Sequence, residues 1–340
     1  MIDLRSDTAT KPTREMLAAM ASAEVGDEQE REDPTVNALQ RRAAELLGQE
    51  AALFLPTATM ANQIALNVLG TRGGLLVAEE NTHVLIYEHG GPAVHSGLVM
   101  RGRPATAGRI TPAQLREVAR ETDLYQPLSV VVVENTHRSS GGRVWPLDEL
   151  REVVDTAREL GARVHLDGAR LFNASVASGI PAAEYGRLFD SVTVCFSKGL
   201  GCPHGAVLAA SAERIEHAWR GKFLFGGAMR QAGVVAATAL YALDHNVEQL
   251  AADHARARRL AEGLAAAGLA VEVGATETNF VAIAVDEVAD AVARIRAEGI
   301  LVSGLRPGYL RAVTSLGVTD DDVDRAIDAI PRALGVLARV

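Results

Sequence analysis

Ser129-Val130-Val131-Val132-Val133-Glu134-Asn135-Thr136-His137 is a β-branched run that stops abruptly at a carboxylate and an amide. A continuous apolar run of this length predicts a strand buried on both faces, as in a parallel sheet. Comparable runs lie at Ala51–Leu55, 75–78, 163–166 and 191–196, with helix-like stretches at 59–69 and 147–160 between them. Strands alternating with helices in this way imply βαβ units and a mostly parallel sheet. Upstream, Pro34-Thr35 opens a helical pattern through Val36, Leu39, Ala43, Leu46 and Leu47, which Gly48 closes. Residues 1–33 are polar and aperiodic, an arm laid over the rest. Residues 231–267 are almost wholly helical. A smaller mixed unit follows, with strands expected at 269–273, 280–285, 300–303 and 309–313 and a final helix from Asp320. The expected architecture is a large α/β domain over residues 1–240 and a small α+β domain over 241–340.

Composition narrows the class. Of 340 residues, 48% are hydrophobic and 23% charged, an ordinary globular balance that excludes collagen-like, disordered and coiled-coil chains. The 34 basic and 43 acidic residues give a net charge of −9 without a basic patch, which argues against nucleic acid as a partner. Cys195 and Cys202, the two cysteines, suit reduced thiols. No apolar run approaches the roughly 18 residues of a membrane helix, and the start lacks a signal-peptide pattern. A soluble, cytoplasmic enzyme without membrane contact is expected.

Open parallel sheets bind ligands beyond the carboxyl ends of their strands. Three segments qualify: Glu134-Asn135-Thr136-His137, Asp167-Gly168-Ala169-Arg170 and Ser197-Lys198-Gly199-Leu200-Gly201. A lysine at the end of a buried strand is partly desolvated, hence usable as a Schiff-base amine; Lys198 is that, or a surface lysine in a loop. The glycines at 199, 201 and 205 are spaced one residue too long for a dinucleotide loop. Asp167 could partner a protonated pyridine nitrogen, or cap the helix after Gly168. Pro56-Thr57-Ala58-Thr59-Met60 joins a strand to a helix, either a phosphate site or an ordinary capped start. His83, His89 and His95 recur every six residues, unlike a helical metal pair, and no metal is expected.

Several segments together resemble the low-specificity L-threonine aldolases. They are the stretch from Asp3-Leu4-Arg5-Ser6-Asp7 to Pro12-Thr13, Glu32-Asp33-Pro34-Thr35-Val36-Asn37, Glu134-Asn135-Thr136-His137, His165-Leu166-Asp167-Gly168-Ala169-Arg170, Phe196-Ser197-Lys198-Gly199-Leu200-Gly201 and Met229-Arg230-Gln231-Ala232-Gly233. The resemblance implies the pyridoxal-phosphate-dependent, aspartate-aminotransferase-like fold (fold type I), close to the β-eliminating lyases. It implies retro-aldol cleavage of L-threonine or L-allo-threonine to glycine and an aldehyde. By the same resemblance Lys198 carries the cofactor as a Schiff base, Asp167 meets the pyridine nitrogen, and His83 stacks on the ring and is a candidate base. Ala58, Thr59 and Arg230 fall on the phosphate segments. Ser6, Arg170 and Arg311 match the residues that grip the substrate carboxylate. Relatives are homotetramers with shared active sites.

Four departures bear on selectivity. Ala58 stands where the family has a glycine, and Glu28-Gln29 where it commonly has tyrosine-glycine. Leu124-Tyr125 replaces a histidine near the β-substituent, and Gly226-Gly227-Ala228 replaces a triple glycine. Other β-chemistry on the same fold (β-elimination, transaldolation or serine cleavage) therefore stays open. A binding protein without turnover and a nucleotide-binding α/β protein are rivals from other classes.

Overall fold

The computed structural model describes residues 1–122 and 125–336. In chain order its strands are β1 (Ile2–Asp3), β2 (Ala51–Leu55), β3 (Leu75–Glu79), β4 (Val99–Arg103), β5 (Leu128–Glu134), β6 (Arg163–Asp167), β7 (Ser191–Cys195), β8 (Ala206–Ala210), β9 (Phe280–Ala284), β10 (Ile300–Leu301), β11 (Ser303–Arg306) and β12 (Tyr309–Val313). Seven form the central sheet in the order β2-β8-β7-β6-β5-β3-β4. Neighbours from β7 through β4 pair in parallel, while β8 runs antiparallel to both β2 and β7. Every residue of β3, β7 and β8 is buried, which explains their lack of alternation.

Two strands of the main sheet go beyond the sequence expectation. Ala206-Val207-Leu208-Ala209-Ala210 has three alanines, poor strand formers, and is a strand because two neighbours enclose it. The edge strand β4 carries Arg101 and Arg103, charges that protect an open edge and erase its apolar pattern. In the C-terminal unit the strand expected at 269–273 reduces to one bridge between Val271 and Ile283. There the sheet order is β11-β12-β9, antiparallel throughout.

The helix Pro34–Leu47 starts and stops as its sequence implies. The Asp33 carboxylate accepts from the Val36 N–H at 2.9 Å, and Gly48 takes the left-handed conformation at φ 63°. The N-terminal arm is a tether. Strand β1 pairs in parallel with β10, and the Leu4 carbonyl accepts from the Val313 N–H at 2.8 Å. Ile2 and Leu4 are buried in the same apolar cluster as Val281, Ile295 and Ile330, whereas Met16 belongs to the cluster beneath the central sheet. Between these anchors a short turn carries Asp7 to the carboxyl edge of the sheet. Cys195 and Cys202 are both free and buried. No helix among the described residues is long and apolar enough to cross a membrane.

Candidate active site

Strands β5, β6 and β7 end at Glu134, Asp167 and Cys195, and Ser197-Lys198 follows the last. All three nominated segments therefore meet at one edge. Asp167 is 1% exposed; its Oδ2 accepts from Asn62 Nδ2 at 2.9 Å and its Oδ1 from the Ala169 N–H at 3.1 Å. Burial pushes this carboxyl upward, but His83 and Lys198 outweigh it and hold the group below the ordinary aspartate range. Lys198 is half-buried, and its carbonyl accepts from Thr10 Oγ1 at 2.7 Å.

His83 opens a short helix after β3. Its N–H donates to Glu134 Oε2 at 2.7 Å, and its Nδ1 lies 2.8 Å from Glu88 Oε1. One ring nitrogen of His83 and one oxygen each of Glu88 and Asp167 lie within 4.8 Å of one another. Burial lowers the His83 pKa, yet the bond to Glu88 and the charges of Asp167, Glu88 and Glu134 together raise it. The buried His165 beneath them is pushed down to about 4 by desolvation.

Arg170 is buried, and Asp7 accepts its fork, with Nε to Oδ2 at 2.7 Å and Nη2 to Oδ1 at 2.6 Å. Ser6 precedes that aspartate, and its hydroxyl accepts from the Thr8 N–H at 3.2 Å. Arg311, on β12, donates Nε to Ser303 Oγ at 2.8 Å, while its buried Nη1 has no partner. The guanidinium carbons of Arg170 and Arg311 lie 5.0 and 5.7 Å from the Phe280 ring centre, so the two cations share one apolar wall. A cleft of about 960 Å³ continues from this wall past Tyr87, His137 and Tyr309.

Ala58 and Thr59 form the first turn of the helix Ala58–Leu69, capped by Thr57, whose Oγ accepts from the Met60 N–H at 3.1 Å. Gly227 packs on that turn, where a Cβ would come within 2.2 Å of Met60 Sδ. Arg230, three residues on, is 61% exposed and donates to Asp27 Oδ2 at 2.9 Å. Glu28, where the resemblance implies a tyrosine, is buried as the ion-pair partner of the fully buried Lys222 and accepts from the Met229 N–H at 2.9 Å. Leu124 lies outside the described residues, and the adjoining Tyr125 is 85% exposed.

Sequence reasoning missed Asp7, Asn62, Gln63, Glu88, His165, Lys222 and Asn279, all buried polar groups of this region. The available signal was polarity in the wrong place: Asn62-Gln63 interrupts an apolar helix face, and His165 sits inside a buried strand.

Comparison with known proteins identifies the family and the fold. The beta-eliminating lyase family matches residues 3–287. A probable low-specificity L-threonine aldolase 2 of Arabidopsis thaliana is 38% identical, over 97% of this chain and 96% of its own. The low specificity L-threonine aldolase of Escherichia coli K12 is 40% identical, over 95% of this chain and 96% of its own. The solved threonine aldolase of Leishmania major, only 20% identical, superposes with a TM-score of 0.86 over 98% of this chain and all of that one, which shows a shared fold. With relatives this similar along nearly its whole length and a match across residues 3–287, the chain belongs to the beta-eliminating lyase family.

Proposed function

We propose that the protein is a pyridoxal-phosphate lyase that cleaves β-hydroxy-α-amino acids, L-threonine or L-allo-threonine, to glycine and an aldehyde. The observation that carries this reading is Arg311. Its guanidinium is pushed down to about 10 by burial and by the nearby Arg138 and Arg170, and its buried Nη1 lacks a partner. A buried cation repelled by two others calls for an anion, and an amino-acid carboxylate fits its fork. Arg170 spends Nε and Nη2 on Asp7, which leaves Nη1 for the same carboxylate, with Ser6 beside it. The names of the relatives support a β-hydroxyl on the substrate.

The residues fit pyridoxal phosphate. Asp167 is a carboxylate 1% exposed and held ionised by neighbouring cations, the partner that a protonated pyridine nitrogen requires. Lys198 Nζ would carry the cofactor, and His83 would stand beside it. In the first turn of the helix Ala58–Leu69, Thr57 satisfies the N–H of Met60. Those of Ala58 and Thr59 are left for the phosphate, to which Arg230 adds charge. When bound, the cofactor supplies a sink for the electron pair left on Cα as the Cα–Cβ bond breaks. Arg311 and Arg170 hold the carboxylate and so set the direction of the bonds to Cα. His83 takes the proton of the β-hydroxyl, directly or through a water.

We further read the chain as a cytoplasmic homotetramer with shared active sites and a division near residue 240. Val94 at 72% and Leu224 at 76% exposure support association, since they are large apolar groups that a monomer leaves in water.

Product analysis with each threonine epimer tests the reading. Equal amounts of glycine and acetaldehyde are expected. 2-Oxobutyrate and ammonia instead would move the assignment to β-elimination. Arg311→Leu should lower kcat/KM on the order of 100-fold, because a desolvated charge partner is lost. A change below twofold would remove Arg311 from the carboxylate site.

A further inference from the structure

We propose that Glu88 is the positioning residue that fixes which nitrogen of His83 faces the substrate and how basic it is, an inference that rests on the reading of His83 as the base. The Glu88 side chain is fully buried. Its Oε1 accepts from Asn62 Nδ2 at 2.8 Å and its Oε2 from Gln63 Nε2 at 2.5 Å. A carboxylate receiving two amide donors can only accept, so the 2.8 Å contact to His83 requires the proton on Nδ1. His83 Nε2 is thereby left with the lone pair, free to receive the hydroxyl proton, and the imidazolium so formed is balanced by Glu88.

The donors that hold Glu88 are themselves fixed. His165 Nδ1 lies 2.8 Å from Ser191 Oγ, and its Nε2 lies 3.1 Å from Asn62 Oδ1. Asn62 Oδ1 is an acceptor, so His165 donates through Nε2 and Asn62 cannot turn over. Its two amide protons go to Glu88 and Asp167 together. One asparagine thus sets both carboxylates that flank the His83 ring. On the other side, a Cβ at Gly91 would come within 2.6 Å of the Gln63 amide, so glycine there admits the second donor. The charged groups acting on His83 are Asp167, Glu88 and Glu134, and the Tyr87 ring lies tilted 5.5 Å away. Among them Glu88 alone makes the direct bond to the ring.

Glu88→Gln keeps the shape. Its amide oxygen still accepts from His83, and its NH₂ faces Gln63, whose Oε1 is buried without a partner and can accept after a flip. The charge alone is removed. Carbethoxylation of His83, followed by mass spectrometry across pH on full-length protein with and without pyridoxal phosphate, should show its titration falling by about one pH unit or more in E88Q. The acid limb of kcat/KM should move with it, and Glu88→Asp should restore part of the shift. An unchanged His83 titration overturns the proposal. Nitrogen NMR of histidine-labelled wild-type holoenzyme gives a second test that needs no variant. Protonation on Nδ1 is expected, and protonation on Nε2 overturns the proposal. Absence of glycine production leaves both readouts intact, so failure of the aldolase reading is distinguishable.

Discussion

Lys198→Ala is expected to lower glycine production by about 10³-fold or more while the protein stays folded, because in the proposed reading turnover passes through its amine. The local backbone is held without the side chain. The Lys198 carbonyl accepts from Thr10 Oγ1 at 2.7 Å and from the Gly201 N–H at 2.9 Å, and Gly201 turns at φ 80°. A Cβ at Gly199 would come within 2.9 Å of Leu250, so the turn is fitted closely to the helix Leu250–Ala266. The Lys198 side chain is half-buried, so truncation opens no core cavity. Borohydride treatment should fix pyridoxal phosphate to the peptide containing Lys198 in the wild type and leave K198A unlabelled. Turnover within tenfold of wild type, or labelling of another lysine, would remove Lys198 from this role.

Lys198 and Asp167 can be nominated from the sequence because one follows a buried strand and the other ends one, though only the resemblance favours them over a loop lysine and a helix cap; the parallel sheet brings both to one edge. Arg311 emerged only through resemblance, since it lies inside β12 with no local signature. What surrounds these residues was not legible. Asn62 and Asp167 are 105 residues apart, Arg170 and Asp7 are 163, and Lys222 and Glu28 are 194. Each pair is compulsory once buried, because an unpaired polar group in the interior costs more than the bond returns. Yet nothing in the sequence says which donor meets which acceptor. The same limit explains β8: its alanines became a strand only because β2 and β7 flank them.

Asp7→Asn tests such a compulsory pair and should cost about 3–5 kcal/mol of stability at neutral pH, read from chemical denaturation. Asp7 is 0% exposed and sits on Arg170, whose side chain is 5% exposed; removing the anion strands a buried guanidinium. Burial pushes the Asp7 carboxyl up, but Arg170, Lys198 and Asn279 hold it down at about 2. A depressed carboxyl stabilises above its unfolded value of 3.8 and loses that contribution as pH falls through about 2. The wild-type advantage over D7N should therefore be flat near neutrality and shrink by about 2 kcal/mol in strong acid. Asp253, buried beneath with neither oxygen hydrogen-bonded, has the opposite sign. Burial, with the charge of Asp7, lifts it to about 7 against the pull of Arg256, so stability falls as pH rises from 3.8 to about 7. Equal stability of D7N and wild type at pH 7 would mean the arm is held by its strand pairing alone, and a difference undiminished at pH 2 would mean that Asp7 does not act through its charge.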